Sequence, residues 1–147
     1  MEGSARAAHI GGPFTDEDSW FDFCQNVASW LFRGFGLWAI EETATGTLMG
    51  FASHAVEYGD AEPEIGWLLT EAAEGKGIAT EAAAAVRDHH FATLGQPTVV
   101  SYVDPANTAS ARVAEKLGAT RDADAEAGFA KHGEAVQVWR HRRGEAA

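Results

Sequence analysis

The chain has 147 residues and a formal net charge of −11, and 46% of its residues are apolar. This length suits one domain with one core, which we expect to span residues 1–147. The negative charge argues against a nucleic-acid partner, because phosphate would be repelled by such a surface. No apolar run approaches the ~20 residues that cross a bilayer, and the first residues lack the apolar stretch of a signal peptide. A single cysteine excludes an internal disulfide, so a cytoplasmic protein without a membrane partner is expected.

The first half of the chain predicts a helix followed by three strands. Residues 16–32 have helical periodicity, with Thr15 suited to cap the helix. Its apolar side chains share one face: Trp20, Phe23, Val27, Trp30 and Leu31. Cys24 lies in the same helix and is expected to be a small core residue. Strands are predicted at 36–42, 47–58 and 62–70, the first two forming a hairpin around the sequence TATG.

The second half predicts two helices and three strands. A helix from about residue 78 to 93 ends at Gly95, and the apolar run 98–103 is typical of a buried strand. A short helix at 107–118 is capped by Asn107, and two final strands, 119–126 and 134–141, are joined around residues 128–133. The predicted order indicates a mixed α/β sheet with helices packed on it.

Two glycines flank Lys76 at the start of the alanine-rich helix. Gly75 and Gly77 do not favour helix, but they allow the backbone to approach a phosphate where unpaired N–H groups converge. A P-loop is excluded, because Lys76 is followed by glycine rather than by Ser or Thr. A dinucleotide fingerprint is excluded too, because Thr80 stands where its third glycine belongs.

The segment "EGKGIATEA" (74–82), followed by "NTASARVAEKLGA" (107–119), resembles the GCN5-related N-acetyltransferases, abbreviated GNAT. Within that superfamily it is similar to the RimJ/RimL-type branch, as are "HIGGPFTDEDSW" (9–20) and "GFGLWAIEETATGTLMG" (34–50). The resemblance covers roughly residues 9–143. It implies an α/β GNAT fold, a mixed and mostly antiparallel sheet flanked by helices. It also implies acetyl-CoA as cosubstrate and no metal.

The resemblance also implies where acetyl-CoA would bind. The pyrophosphate would lie on the loop amides of Glu74, Gly75, Lys76, Gly77, Ile78 and Ala79. The pantetheine arm would pair with the strand at Trp67, Leu68 and Leu69, which splays from the strand at 98–103. Asn107 and Ser110 would lie beside the pantetheine and the thiol. Lys76 would either add a charge or point to solvent.

For catalysis the resemblance indicates a carboxylate base near the start of the third strand. We expect Glu64 in this role, with Glu62 as the fallback; the alternative for Glu64 is a solvated strand-end acid. Ser110 would hydrogen-bond the thiol or act only as a second helix cap. Many superfamily members carry a tyrosine acid where this chain has Ala114, so Tyr102 or Tyr58 would have to substitute.

The histidines carry a weaker expectation. His89 and His90 are adjacent in a helix and are expected to be one surface residue and one packing residue rather than metal ligands. His54 could face the acceptor cleft.

Members of the RimJ/RimL-type branch usually begin with a strand and a helix before the element that starts here at residue 9. The sequence therefore predicts an N-terminally shortened fold. Three accounts stay open: a shortened natural variant, a partial gene, or a homodimer that covers the exposed edge strand.

The activity that the resemblance implies is transfer of an acetyl group from acetyl-CoA directly to a primary amine. The acceptor would be a protein N-terminal α-amine or a small amine. The alternative is a catalytically weak GNAT module that binds acyl-CoA without turnover.

Overall fold

The computed structural model describes residues 5–10 and 12–144. After a 3₁₀ turn at Ala5–Ile10, these residues form four α-helices and six strands. The helices are α1 (Asp16–Arg33), α2 (Ile78–His89), α3 (Thr108–Lys116) and α4 (Ala123–Ala130). The strands are β1 (Leu37–Glu41), β2 (Leu48–Ala55), β3 (Glu64–Leu69), β4 (Thr98–Val103), β5 (Thr120–Arg121) and β6 (Gln137–Arg142).

The strands form one mixed sheet in the order β1-β2-β3-β4-β6-β5. Neighbouring strands are antiparallel except β3 and β4, which are parallel and bridge at the single pair Glu64 and Val100. The predicted mixed and mostly antiparallel sheet flanked by helices is confirmed. A one-pair bridge means that β3 and β4 diverge over the rest of their length, as predicted.

Apolar side chains from α2 and the central strands form the main core. This cluster contains Ala52, Ile65, Val86, Phe91 and Val99. A second cluster lies under α3 and contains Val103, Ala114, Ala119 and Trp139. Ala114, the position where a tyrosine acid was sought, is therefore part of the core.

Helix α1 has the predicted span, with Thr15 and Asp18 forming a capping box and Gly34 ending the helix at φ 75°. Its apolar side chains are nevertheless exposed, from 38% at Trp30 to 85% at Phe32, and Cys24 is exposed as well. The core expectation for Cys24 is wrong, because the part of the chain that the structure describes does not cover this face. The helix meets the sheet near its end, where the Trp30 ring packs edge-on against Trp38 at 4.8 Å.

The chain between β5 and β6 differs from the prediction of one long strand over 119–126. Only Thr120–Arg121 pairs with β6, and α4 begins directly afterwards with the Asp122 side chain accepting from the Ala125 N–H. Helix α2 ends as expected, continuing as a π-helical turn to a left-handed Gly95.

His54 is buried in the core, so the expectation that it faces the acceptor cleft is wrong. Its ring stacks on Phe35 at a centroid distance of 3.9 Å, and its Nε2 lies 3.0 Å from Nδ1 of His90. His90 in turn lies 3.0 Å from the Thr98 carbonyl O, while His89 is exposed. His89 and His90 are thus a surface residue and a packing residue, as expected.

Candidate active site

The site is organised around the vertex where β3 and β4 separate. At the vertex a backbone bond runs from the Val100 N–H to the Pro63 carbonyl at 3.4 Å, beside the single bridge of Glu64 and Val100. One step further, side chains replace the backbone partners. The Ser101 hydroxyl donates to the Ile65 carbonyl at 2.8 Å, and the Glu64 carboxylate accepts from the Tyr102 backbone N–H. The strands therefore separate without leaving the Ile65 carbonyl or the Tyr102 N–H unpaired.

Beyond the vertex, β3 presents an unpaired backbone edge to the opening. The carbonyls of Pro63 and Ile65 point toward β4, so the backbone groups of Trp67 and Leu69 point the same way, since strands alternate with a period of two. Leu68 turns its backbone toward Phe51 of β2 instead. Of the three predicted strand residues, Trp67 and Leu69 can pair with an amide in the gap, and Leu68 cannot.

A cleft of about 720 Å³ opens from the vertex. Its lining comes from the sheet and from α1, α3 and the segment after α4. Among the residues predicted for the site, five line this cleft: Glu64, Trp67, Leu68, Asn107 and Ser110. Leu69, the last residue of β3, and the glycine loop after it lie outside the lining, so the predicted site extends beyond this cleft.

Glu64 lies half-buried at the cleft wall rather than solvated at a strand end. Burial raises the pKa of its carboxyl to about 7, and the negative charges of Glu57 and Asp60 add to that rise, while the Tyr102 N–H opposes it. A carboxyl with this pKa exchanges a proton readily near neutral pH.

Glu62, the fallback base, is committed elsewhere. Both of its carboxylate oxygens accept from the Arg140 guanidinium at 2.7 Å, and Arg140 also binds Asp122 and the Thr98 hydroxyl. A carboxylate held in a bidentate pair is a poor proton acceptor. This arrangement favours Glu64 over Glu62.

Ser110 lies at the start of α3 with its hydroxyl in the cleft. Its backbone N–H donates to the Asn107 side-chain oxygen at 3.1 Å, so Asn107 caps the helix as expected. The Trp67 indole N–H donates to the Ser110 Oγ at 3.2 Å. Because Ser110 Oγ accepts there, its own hydrogen remains available to donate into the cleft.

Neither Tyr58 nor Tyr102 is well suited to act as the acid that many superfamily members supply from the position of Ala114. Tyr58 is fully exposed. Tyr102 lines the cleft with its ring edge-on to Phe129 of α4 at 5.2 Å, and burial raises its pKa to about 12. A phenol this weakly acidic can donate a hydrogen bond but releases its proton reluctantly.

The glycine loop has the backbone shape that only glycine adopts easily. Gly75 has φ 72° and Gly77 φ 81°, both left-handed, and a Cβ built on either would meet no atom within 4 Å. Gly77 is the N-cap of α2 and supplies no side-chain cap. The first amides of α2 therefore have neither helical partners nor a side-chain cap. Lys76 is exposed.

Sequence reasoning missed Ser101, His141 and Phe129. A serine inside the apolar run TVVSYV was the one available signal, since a buried hydroxyl needs a partner.

No group of three or more His, Cys, Asp or Glu side chains is arranged for a metal ion in the described ranges. Within those ranges no helix is long and apolar enough to cross a membrane.

The Acetyltransferase (GNAT) domain family matches residues 2–120. The chain belongs to this family. It is 34% identical over 90 residues to the uncharacterized protein YkkB of Bacillus subtilis, which covers 58% of this chain and 52% of YkkB. It thus spans about half the length of that curated relative, and 38% of a second, the uncharacterized N-acetyltransferase YnaD of the same organism.

The solved acetyltransferase from Agrobacterium tumefaciens is 38% identical to this chain, with a TM-score of 0.83 over 96% of this chain and 80% of that one. Two more distant enzymes share the fold. They are the ribosomal-protein-S5-alanine acetyltransferase from Vibrio fischeri (18% identity, TM-score 0.66, 90% of this chain and 74% of that one) and the spermidine N-acetyltransferase from Vibrio cholerae with CoA and spermine (14%, 0.66, 91% and 79%).

Proposed function

We propose that this protein is an acetyl-CoA-dependent N-acetyltransferase that acetylates a primary amine by direct transfer. The observation that carries the proposal is the position of Glu64. Its carboxyl lies at the vertex of the β3–β4 gap, in the cleft wall, with a pKa of about 7. The proposed proton acceptor thus lies at the end of the gap proposed for the cofactor. Direct transfer between two bound substrates requires these groups to be close together.

The residues of the gap fit acetyl-CoA. The unpaired backbone groups of Trp67 and Leu69 suit the amides of the pantetheine arm, and the glycine loop of residues 74–79 suits its pyrophosphate at the start of α2. When bound, acetyl-CoA supplies an acetyl group activated as a thioester. Asn107 shapes the wall beside it, and the Ser110 hydroxyl is placed to donate a hydrogen bond to sulfur.

Glu64 prepares the acceptor. A primary amine is mostly protonated at neutral pH, with a pKa of about 8 for an α-amine and about 10 for an alkylamine, and only the neutral form attacks. The ionised Glu64 carboxylate takes the proton that the amine loses, directly or through one water. The Tyr102 backbone N–H favours this ionised form.

The cleft favours an acceptor with more than one positive charge. Seven carboxylates line it: Asp18, Asp22, Glu57, Asp60, Glu64, Asp104 and Glu134. His9 is the one basic side chain among the described lining residues, and it already pairs with Asp104 at 2.8 Å. A small polyamine is therefore a candidate acceptor in addition to a protein N-terminus. The spermidine N-acetyltransferase of this fold acts on such an amine.

The rival function is a GNAT module that binds acyl-CoA without turnover. Calorimetric titration with acetyl-CoA, followed by an assay of CoA release with and without amine, separates the two. The proposed enzyme binds acetyl-CoA and releases CoA only when an amine is present. Binding without amine-dependent release, across polyamines and N-terminal peptides, would establish the module instead.

Gly77 tests the loop in the same titration. We expect Gly77→Glu to abolish detectable acetyl-CoA binding, because the carboxylate would stand where the pyrophosphate lies. Gly77→Ala is the matched control, since it carries the same backbone strain without the charge and has room for its Cβ. Wild-type affinity in a folded Gly77→Glu protein would show that the loop does not hold the pyrophosphate.

A further inference from the structure

A buried imidazole lies directly behind the vertex of the gap. His141 is 1% exposed and lies on β6, opposite Val99 of β4. Its Nε2 is 3.1 Å from the Ser101 Oγ, which is 2.8 Å from the Ile65 carbonyl O. The three groups form a continuous hydrogen-bonded chain from β6 through β4 to β3.

The chemistry of the three groups determines which atom donates in each of these hydrogen bonds. A carbonyl oxygen can only accept, so the Ser101 hydroxyl donates to Ile65. The Ser101 oxygen then accepts, which requires the proton of His141 to be on Nε2. The opposite ring nitrogen, Nδ1, has no hydrogen-bond partner among the described residues. Burial and the nearby positive charge of Arg87 lower the pKa of His141 to about 4, so the ring stays neutral near pH 7.

The chain ends beside the proposed base. Ile65 follows Glu64 on β3, and Ser101 precedes Tyr102 on β4, so the Ser101–Ile65 bond lies next to the Glu64–Tyr102 bond. These two side-chain bonds join the strands just where backbone pairing stops. The Ser101 hydroxyl that bridges the two strands at this point is held on its other side by His141.

We propose that His141, acting through Ser101, is a positioning residue that holds the β3–β4 vertex closed against water and so orients Glu64. The catalytic consequence of this inference rests on the function proposed above. The effect on Glu64 itself is expected in the protein without acetyl-CoA and does not depend on turnover. The groups that face Glu64 are Glu57, Asp60 and the Tyr102 N–H, and Arg87 faces His141.

The test compares His141→Leu with His141→Gln in the full chain. Leucine keeps much of the volume but cannot donate, whereas the glutamine amide nitrogen can donate from close to the Nε2 position. The carboxyl pKa of Glu64 is measured by NMR titration without acetyl-CoA. We expect it to fall by about one unit or more in His141→Leu, because water enters the vertex, and to stay near the wild-type value in His141→Gln. Glu57 and Asp60 are present in all three proteins, so their charges do not account for a difference.

Turnover gives a second readout. The kcat of His141→Leu should fall about tenfold or more with little change in the KM for acetyl-CoA, since orientation rather than cofactor binding is lost. Should His141→Leu fail to fold, Ser101→Ala, with Ser101→Thr as its control, removes the same link with a smaller change. A folded variant lacking the link that keeps the wild-type Glu64 pKa overturns the inference. A wild-type protein without turnover but with the expected pKa response overturns the proposed function alone.

Discussion

At the residue scale, groups outside its own strand set the acidity of Glu64, the proposed base. Glu64 was expected at the start of β3 from the family resemblance, and it lies there. Its pKa depends on Glu57 and Asp60, which belong to the loop before β3, and on the Tyr102 N–H across the vertex. Those contacts exist only after the chain folds, so no local pattern could predict them.

Glu64→Gln should remove turnover while stabilising the protein at alkaline pH. Because the folded pKa of Glu64 lies above its ordinary 4.5, its contribution to stability is fully present below pH 4.5 and is lost as pH rises through about 7. We expect the glutamine variant to gain roughly 1–3 kcal/mol in free energy of unfolding at pH 8 and almost nothing near pH 4.5. Urea unfolding at both pH values measures this, and an equal difference at both would contradict it.

The wild-type pH profile supplies a separate check. The acid limb of kcat/KM should have a midpoint near the Glu64 pKa of about 7, with activity increasing above it, because the carboxylate form accepts the proton. A limb that keeps this midpoint in Glu64→Gln would assign the base to another residue.

At the element scale, most elements follow from local patterns. The caps at Thr15 and Asn107 and the left-handed Gly95 bound three segments as expected. The sequence predicts a strand over the first half of α4, because the alternating Asp and Ala residues there mimic a period of two. The Asp122 cap and the Arg121–Glu126 ion pair stabilise the helix instead.

The exposed face of α1 makes a prediction about stability. Phe32 is 85% exposed, so Phe32→Ser should change the free energy of unfolding by less than about 0.5 kcal/mol. Ile65→Ala, at a position only 1% exposed, should cost roughly 2–5 kcal/mol. Urea unfolding followed by circular dichroism compares them. A large cost at Phe32 would mean that something covers this face in solution, and light scattering would then test whether a homodimer, one of the three accounts left open, covers it.

At the scale of the whole molecule, the fold concentrates part of the negative charge that underlies the net charge of −11 around one cleft. The acidic residues can be counted from the composition, but their positions in space cannot be read from it. The fold gathers carboxylates from α1, the loop before β3, the end of β4 and the segment after α4 around one cleft. Side chains far apart in sequence produce this field, which is why it was not predictable.

This field should make acceptor binding depend on salt. For a polyamine acceptor we expect KM to rise several-fold between about 0.05 and 0.3 M NaCl, since the Debye length falls from about 14 to about 6 Å. The KM of a monoamine of the same length should rise much less. Parallel salt titrations of the two amines measure the difference, and equal slopes would show that the cleft charges do not select the acceptor.

The unpaired edge of β3 also offers a route to inhibitors. Trp67 and Leu69 present backbone donors and acceptors about 6.7 Å apart, the repeat of alternate residues on one side of a strand. An extended diamide with that spacing, carrying an ammonium group toward Glu64, would insert into the gap as a short additional strand. Such a compound would occupy the cofactor and acceptor positions together, so its inhibition should be relieved by either substrate.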